Sequence, residues 1–137
     1  MRFAPFLMAA AAALQVGAQQ PAASPDPGVK PVRLIDRPEI RVSRVELQPG
    51  AVRSMHEHQD AKFHVWVALA GNLEFTMGSA KPVAAPIGQA YFMQKGTMHG
   101  FRNAGTTPGA SMEIFVKDSA GPGDVQALAA AFAGMEK

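Results

Sequence analysis

Four histidines carry the chemistry this chain can be built for: His56, His58, His64 and His99. The first three fall in one stretch, GAVRSMHEHQDAKFHVWVALAG (50–71), and the fourth in GQAYFMQKGTMHGFRN (88–103). His56 and His58 are two residues apart. In an extended segment, positions i and i+2 project to the same side, so both imidazoles can face one point while Glu57 faces away. His64 opens one strand-like run and His99 another, so four nitrogen donors can surround one cavity. Imidazole suits Zn, Cu, Fe and Ni. The chain has no cysteine, so a metal site must be made from His, Asp, Glu or backbone. Four neutral ligands leave a divalent ion its full charge. An open coordination position would then lower the pKa of bound water or attract an anionic group. A single histidine is usually a surface or core residue satisfied by hydrogen bonds. An H-x-H pair with two more, and none elsewhere, points to one divalent transition metal ion: Fe, Mn, Cu, Ni or Zn.

Alternation extends the site. If His64 points inward, so do Trp66 and Ala68, and if His99 does, so do Phe101 and Asn103. Trp66 and Phe101 then form an aromatic wall, or ordinary core. Gln94, close to His99 in sequence, is a candidate hydrogen-bond partner for a bound water. Arg44 and Arg102 are candidate carboxylate anchors, or simply exterior residues. Among the acids, Glu46, Glu57, Asp60 and Glu113 are candidate bases, and Asp60 is a substitute ligand should His64 not bind. There is no G-x-S-x-G elbow, no P-loop and no G-x-G-x-x-G. His56-Glu57-His58 is not the helical H-E-x-x-H of zinc proteases.

The elements that must hold these residues read as strands. VRLID (32–36) and IRVSRVEL (40–47) alternate branched apolar and polar residues, the pattern of half-buried strand. Pro49-Gly50 is a turn, and RSMHEHQD (53–60) a polar loop. FHVWVALA (63–70) and LEFTM (73–77) read as a hairpin turned tightly at Gly71-Asn72. KPVAAP (81–86) is a weak edge strand, and QAYFMQ (89–94), HGFRNA (99–104) and ASMEIFVK (110–117) are further strands. Near the end, Val125, Leu128, Ala129 and Phe132 fall at helical spacing, with Asp124 as N-cap and Gly134 as stop. About eight short strands with one short helix predict an all-β barrel or sandwich.

The two histidine stretches resemble the two motifs of the cupin superfamily. Its first motif runs G-x5-H-x-H, then three or four residues, then E-x6-G. Here Gly50, five residues and His56-Glu57-His58 fit it. Six residues separate His64 from Gly71, so His64 stands where the family has Glu, after a slightly longer loop. The second motif runs G-x5-P-x-G-x2-H-x3-N. Gly88, Gly96, His99 and Asn103 fit it, with Gln94 in place of the proline. The resemblance implies a single cupin-like β-barrel, a jelly roll, closed by a short C-terminal helix. It implies His56, His58 and His99 as metal ligands. His64 joins them by analogy with four-histidine variants, or else stands behind them.

Length and composition set the remaining limits. The chain has 137 residues, enough for one domain. Residues 1–18, MRFAPFLMAAAAALQVGA, combine a basic start, a short apolar run and a small-x-small ending, the pattern of a secretory signal peptide. Cleavage after Ala18 predicts an exported, periplasmic protein with no stable membrane anchor in the mature chain. Residues 19–31 are a proline-rich linker or arm, 32–117 the barrel domain, and 118–137 a tail with the short helix. The charge is +2, from 13 basic and 11 acidic residues. Without Arg2 it is +1, which gives no electrostatic case for nucleic acid. The expected partner is a small-molecule substrate or ligand, with a homodimer formed through strand 110–117 and the N-terminal arm. For function, the cupin resemblance implies a metal-dependent enzyme, foremost of dioxygenase type; a metal-dependent isomerase or lyase and a non-catalytic periplasmic metal- or ligand-binding module are the other classes.

Overall fold

A computed structural model describes residues 26–124 and 126. The expected signal segment, residues 19–25 of the arm and the helix face Val125, Leu128, Ala129 and Phe132 lie outside the described residues. Within them the chain forms nine strands: β1 (Val29–Asp36), β2 (Ile40–Leu47), β3 (Val52–His56), β4 (Ala61–Ala70), β5 (Leu73–Met77), β6 (Val83–Ala85), β7 (Ala90–Gln94), β8 (His99–Asn103) and β9 (Gly109–Lys117). They make two antiparallel sheets, ordered β1-β2-β9-β4-β7 and β3-β8-β5-β6. Inward residues of both sheets meet as one core of Val45, Leu47, Trp66, Leu73, Phe75, Met93 and Phe101. Burying each large side chain stabilises the jelly roll by about 1.5–3 kcal/mol. The all-β fold expected from the sequence is therefore the fold observed.

Three local expectations need correction. First, 63–77 is not a hairpin, because β4 pairs with β7 and β9 whereas β5 pairs with β6 and β8. The turn at Gly71 carries the chain from one sheet to the other. Gly71 has φ +83°, and a Cβ there would lie 2.7 Å from Gly109 Cα, so only glycine fits the crossing. Second, residues 52–56 are strand and not polar loop. Third, the strand expected at a dimer edge, 110–117, is interior: β9 is paired with β2 on one side and β4 on the other, so it has no free edge to offer.

Strand β1 starts at Val29, inside the proline-rich arm, and Pro31 pairs opposite Val45. Proline is tolerated there because, among the described residues, β1 is an edge strand with no outer neighbour to bond. At the other end a helical turn opens at 122–124. Gly121 N donates to Asp124 Oδ2 at 2.7 Å, so Asp124 caps by reaching back from inside the first turn and does not precede it.

Candidate metal centre

The histidines converge because β3 ends and β8 begins beside the inward face of β4. His56 is the last residue of β3 and His99 the first of β8, and they are direct partners across that strand pair. The register shifts between Arg53 and His56, an irregularity of the kind that re-aims side chains at barrel rims. His58 follows in the loop. Its carbonyl accepts a 3.2 Å bond from Gly96 N, and Gly96, at φ +73°, keeps its Cα face against Gln59 and Glu57. That glycine of the second stretch thus fixes the loop of the first. His64 points inward from β4. Ring centroids are 4.4 Å apart for His56–His99, 5.0 Å for His56–His58, 5.0 Å for His58–His64 and 4.8 Å for His64–His99.

Two tautomers are set by the backbone. His56 Nδ1 lies 2.7 Å from Ser54 O, and His99 Nδ1 2.9 Å from Thr97 O. A carbonyl only accepts, so each Nδ1 carries the proton and each Nε2 presents a bare lone pair. This is the arrangement that orients imidazoles as ligands. His56 Nε2, His58 Nε2, His99 Nε2 and both nitrogens of His64 are shielded from solvent without a hydrogen-bond partner. Glu113 Oε1, from β9, is in the same condition. Each such orphaned atom costs about 1–3 kcal/mol, and a cation held by His56, His58, His99 and Glu113 would remove the cost for the atoms that bind it.

The donor atoms of His56, His58, His99 and Glu113 lie within 4.8 Å of one another. With ligand bonds of about 2.0–2.2 Å, donors around one ion sit roughly 3–4.4 Å apart. The cluster is slightly wider than a loaded site and would contract onto an ion, and its nitrogen and oxygen donors fit a divalent transition metal. His64 is outside that set of four, although its Nε2 is 3.9 Å from Glu113 Oε1.

Electrostatics favour the neutral ligand state. Burial, with the neighbouring imidazoles adding to it, holds His58 down to about 4 and His64 to about 2. Burial likewise lowers His99 to about 4, against the opposing pull of its bond to Thr97, and lowers His56. Burial pushes Glu113 up to about 7. Phe115 roofs the cluster, stacked on His64 at 4.2 Å and edge-on to His58 at 4.6 Å. The Arg41 guanidinium sits 4.2 Å from the Phe115 ring centroid and is paired with Asp60 at 3.1 Å. Arg53 is bonded to Asp26 at 2.9 Å. An outer cleft of about 410 Å³ lies along Val52, Met55, Gly100 and Arg102 and includes none of the histidines.

The other residues singled out in the sequence fall elsewhere. Trp66 is 0% exposed and packs on Phe75, Phe101 and Tyr91. It and Phe101 point inward as alternation requires, but as members of the core. Asn103 is a clamp. Its Nδ2 donates to Thr107 O at 2.7 Å and its Oδ1 accepts from Gly105 N at 3.0 Å, pinning the loop after β8. Gln94 is exposed, because Met93 takes the inward position opposite His64; it does not reach the histidines. Asp60 is committed to Arg41, Arg102 to Glu74, and Arg44 is exposed. Glu113 is the residue the sequence left unplaced. The signal was there, a charged residue at the inward step of Ser111-Met112-Glu113-Ile114-Phe115, but the neighbouring strands had to be known to read it.

The profile of the cupin domain family matches residues 43–115. No curated protein matches the chain. Among solved structures, a cupin domain from Bordetella pertussis Tohama I is 25% identical, with 66% of this chain and 95% of that one covered at a TM-score of 0.56. An oxalate oxidase is 18% identical, with 72% of this chain and 55% of that one covered at 0.61. The DMSP lyase DddQ from Ruegeria pomeroyi DSS-3 is 21% identical, with 66% of this chain and 47% of that one covered at 0.58. At these identities the last two speak for the fold alone. The family profile covers more than half of the chain, and the two-sheet barrel carries its histidines at one mouth: the chain belongs to the cupin domain family.

Proposed function

We propose that the protein is an exported, metal-dependent enzyme acting on a small molecule, foremost an oxidoreductase of dioxygenase type. The observation that supports this reading best is the cluster of bare, solvent-shielded nitrogens, two of them locked in the ligating tautomer by backbone carbonyls. His56, His58 and His99 would hold the ion, with His64 as a fourth imidazole. A bound divalent transition metal supplies Lewis acidity and, where it is redox-active, one-electron chemistry. The chain's own residues do the rest. Phe115 excludes water above His64 and His58. Arg41 places a positive charge against that ring, where it would favour an anionic substrate group. In the metal-free protein burial pushes the Glu113 carboxyl up to about 7, so a cation bound beside it would displace its proton.

The test is metal analysis of the isolated protein followed by oxygen uptake with a panel of small acids, enols and phenolics. Oxygen consumption coupled to substrate loss is the expected result. Turnover without oxygen would replace the reading with an isomerase or lyase. A non-catalytic metal-binding module is the second reading, favoured by one observation: Nε2 of His56, His58 and His99 and Oε1 of Glu113 are all closed to solvent, whereas a catalytic metal keeps a position open to water or substrate. Tight metal binding without turnover on any substrate would select it. A homodimer, with β9 interior, now rests on the edge of β1, where Leu34 and Ile35 are exposed.

A further inference from the structure

The cupin motif places a glutamate where this chain has His64, yet the cluster still contains a carboxylate. We propose that Glu113 supplies a metal ligand from β9, so that the carboxylate of the centre has moved from the first motif to the last strand. This rests on the metal reading of the histidines.

Several independent features carry it. Glu113 shares the inner face of β9 with Phe115, two residues on, which lies against His58 and His64. Its carboxylate belongs to the group whose donor atoms are within 4.8 Å of one another, together with His56, His58 and His99. Its Oε1 is buried without a hydrogen-bond partner. Nearby cations do not satisfy it, because Arg41 is bonded to Asp60 and Arg53 to Asp26. Asp26 and Glu113 are the buried acids among the described residues, and Asp26 is held by Arg53 and Ser54. A buried carboxylate needs a cation or donors in contact, and the centre itself is the available place for that cation.

The consequence is a choice of metal. Imidazole favours Zn, Cu and Ni, whereas carboxylate oxygen suits harder ions such as Mn2+. Adding Glu113 to the histidines also lowers the net charge of the loaded site by one. The carboxylate should therefore sustain Mn2+ binding more than Zn2+ binding.

The experiment compares the parent protein with Glu113→Gln, each stripped and then titrated separately with Mn2+ and Zn2+ by calorimetry. Visible spectra of both are taken after loading with Co2+. The variant is expected to lose more than about 100-fold in Mn2+ affinity, beyond the range of residues that only support a ligand, and less in Zn2+ affinity. Its Co2+ spectrum should change. The metal-free variant should unfold at or above the parent's midpoint, since it has lost an uncompensated buried acid, and this separates ligation from a folding defect. Should the metal-free variant be unfolded, Glu113→Asp keeps the charge and shortens the reach, and a shifted Co2+ spectrum is expected from it. A Co2+ spectrum unchanged from the parent's in the folded variant would overturn the assignment, whatever the affinity, while leaving the histidine site intact. Failure of the parent itself to bind any of the three ions would overturn the metal reading, and this inference with it.

Discussion

Removing metal from the protein should leave a fold that acid attacks unusually early. In the metal-free state His58, His64 and His99 stay neutral far below the ordinary histidine value, at about 4, 2 and 4. Once unfolded, each titrates near 6.5. The folded values are depressed, so the unfolded chain binds more protons, and stability present above 6.5 is lost as the pH falls. Each imidazole contributes a slope of about 1.4 kcal/mol per pH unit. Between pH 7 and pH 5 the three together remove about 5 kcal/mol. Glu113 acts in the opposite sense. Its folded value is raised to about 7, so its contribution grows as the pH falls and returns about 2 kcal/mol over the same interval. The net loss is about 3 kcal/mol, which is roughly 10–20 °C in Tm for a domain of this size. Chelator-treated protein unfolded by denaturant at pH 7 and at pH 5 measures it. Glu113→Gln should enlarge the drop to about 5 kcal/mol, because the compensating carboxyl is gone. A metal-free midpoint that stays level or rises between pH 7 and pH 5 would refute the claim that the imidazoles are buried together.

Three further outcomes are expected. Asn103→Ala removes the clamp on Thr107 and Gly105 and should cost about 2–4 kcal/mol with metal content unchanged; loss of metal in a folded variant would place Asn103 in the centre after all. Expression in a Gram-negative host should yield a mature protein whose N-terminus, by mass spectrometry, is Gln19; a full-length chain retained in the cytosol would contradict export. Sedimentation at micromolar concentration should show a dimer that Leu34→Lys on the edge of β1 dissociates, whereas a clean monomer of the parent would contradict association through that edge.

The residues that revealed the fold are those whose alternation is local. Ile40–Leu47, Leu73–Met77 and the runs around Ala90–Gln94 and His99–Asn103 show their two faces in sequence, and each forms a strand. What failed was inference about neighbours. Two apolar runs separated by Gly71-Asn72 look like a hairpin, but nothing local tells whether the second strand folds back on the first or crosses to the other sheet. Contact of Gly71 with Gly109, far along the chain, decides it. Residues 52–56 looked like loop because Arg53, Ser54 and His56 are polar; pairing with β8 makes them strand. The same division holds at the site. Histidine clustering and the glycine-framed spacing singled out His56, His58, His64 and His99, whose rings lie side by side. Gln94 was misplaced because closeness in sequence to His99 is not closeness across β7 and β8. Glu113 stayed unplaced because its role depends on β9 lying beside β4.

The most direct measurement is the metal content of His56→Ala, His58→Ala, His64→Ala and His99→Ala after identical purification, beside the parent. Stoichiometric metal in the parent and loss of most of it in the His56, His58 and His99 variants is the expected result. If His64 ligates, His64→Ala loses it too and His64→Glu retains it; if it only supports the others, His64→Ala keeps stoichiometric metal at an affinity about 10–100-fold weaker. Full occupancy in both His56→Ala and His99→Ala would contradict the claim that these imidazoles form one metal centre.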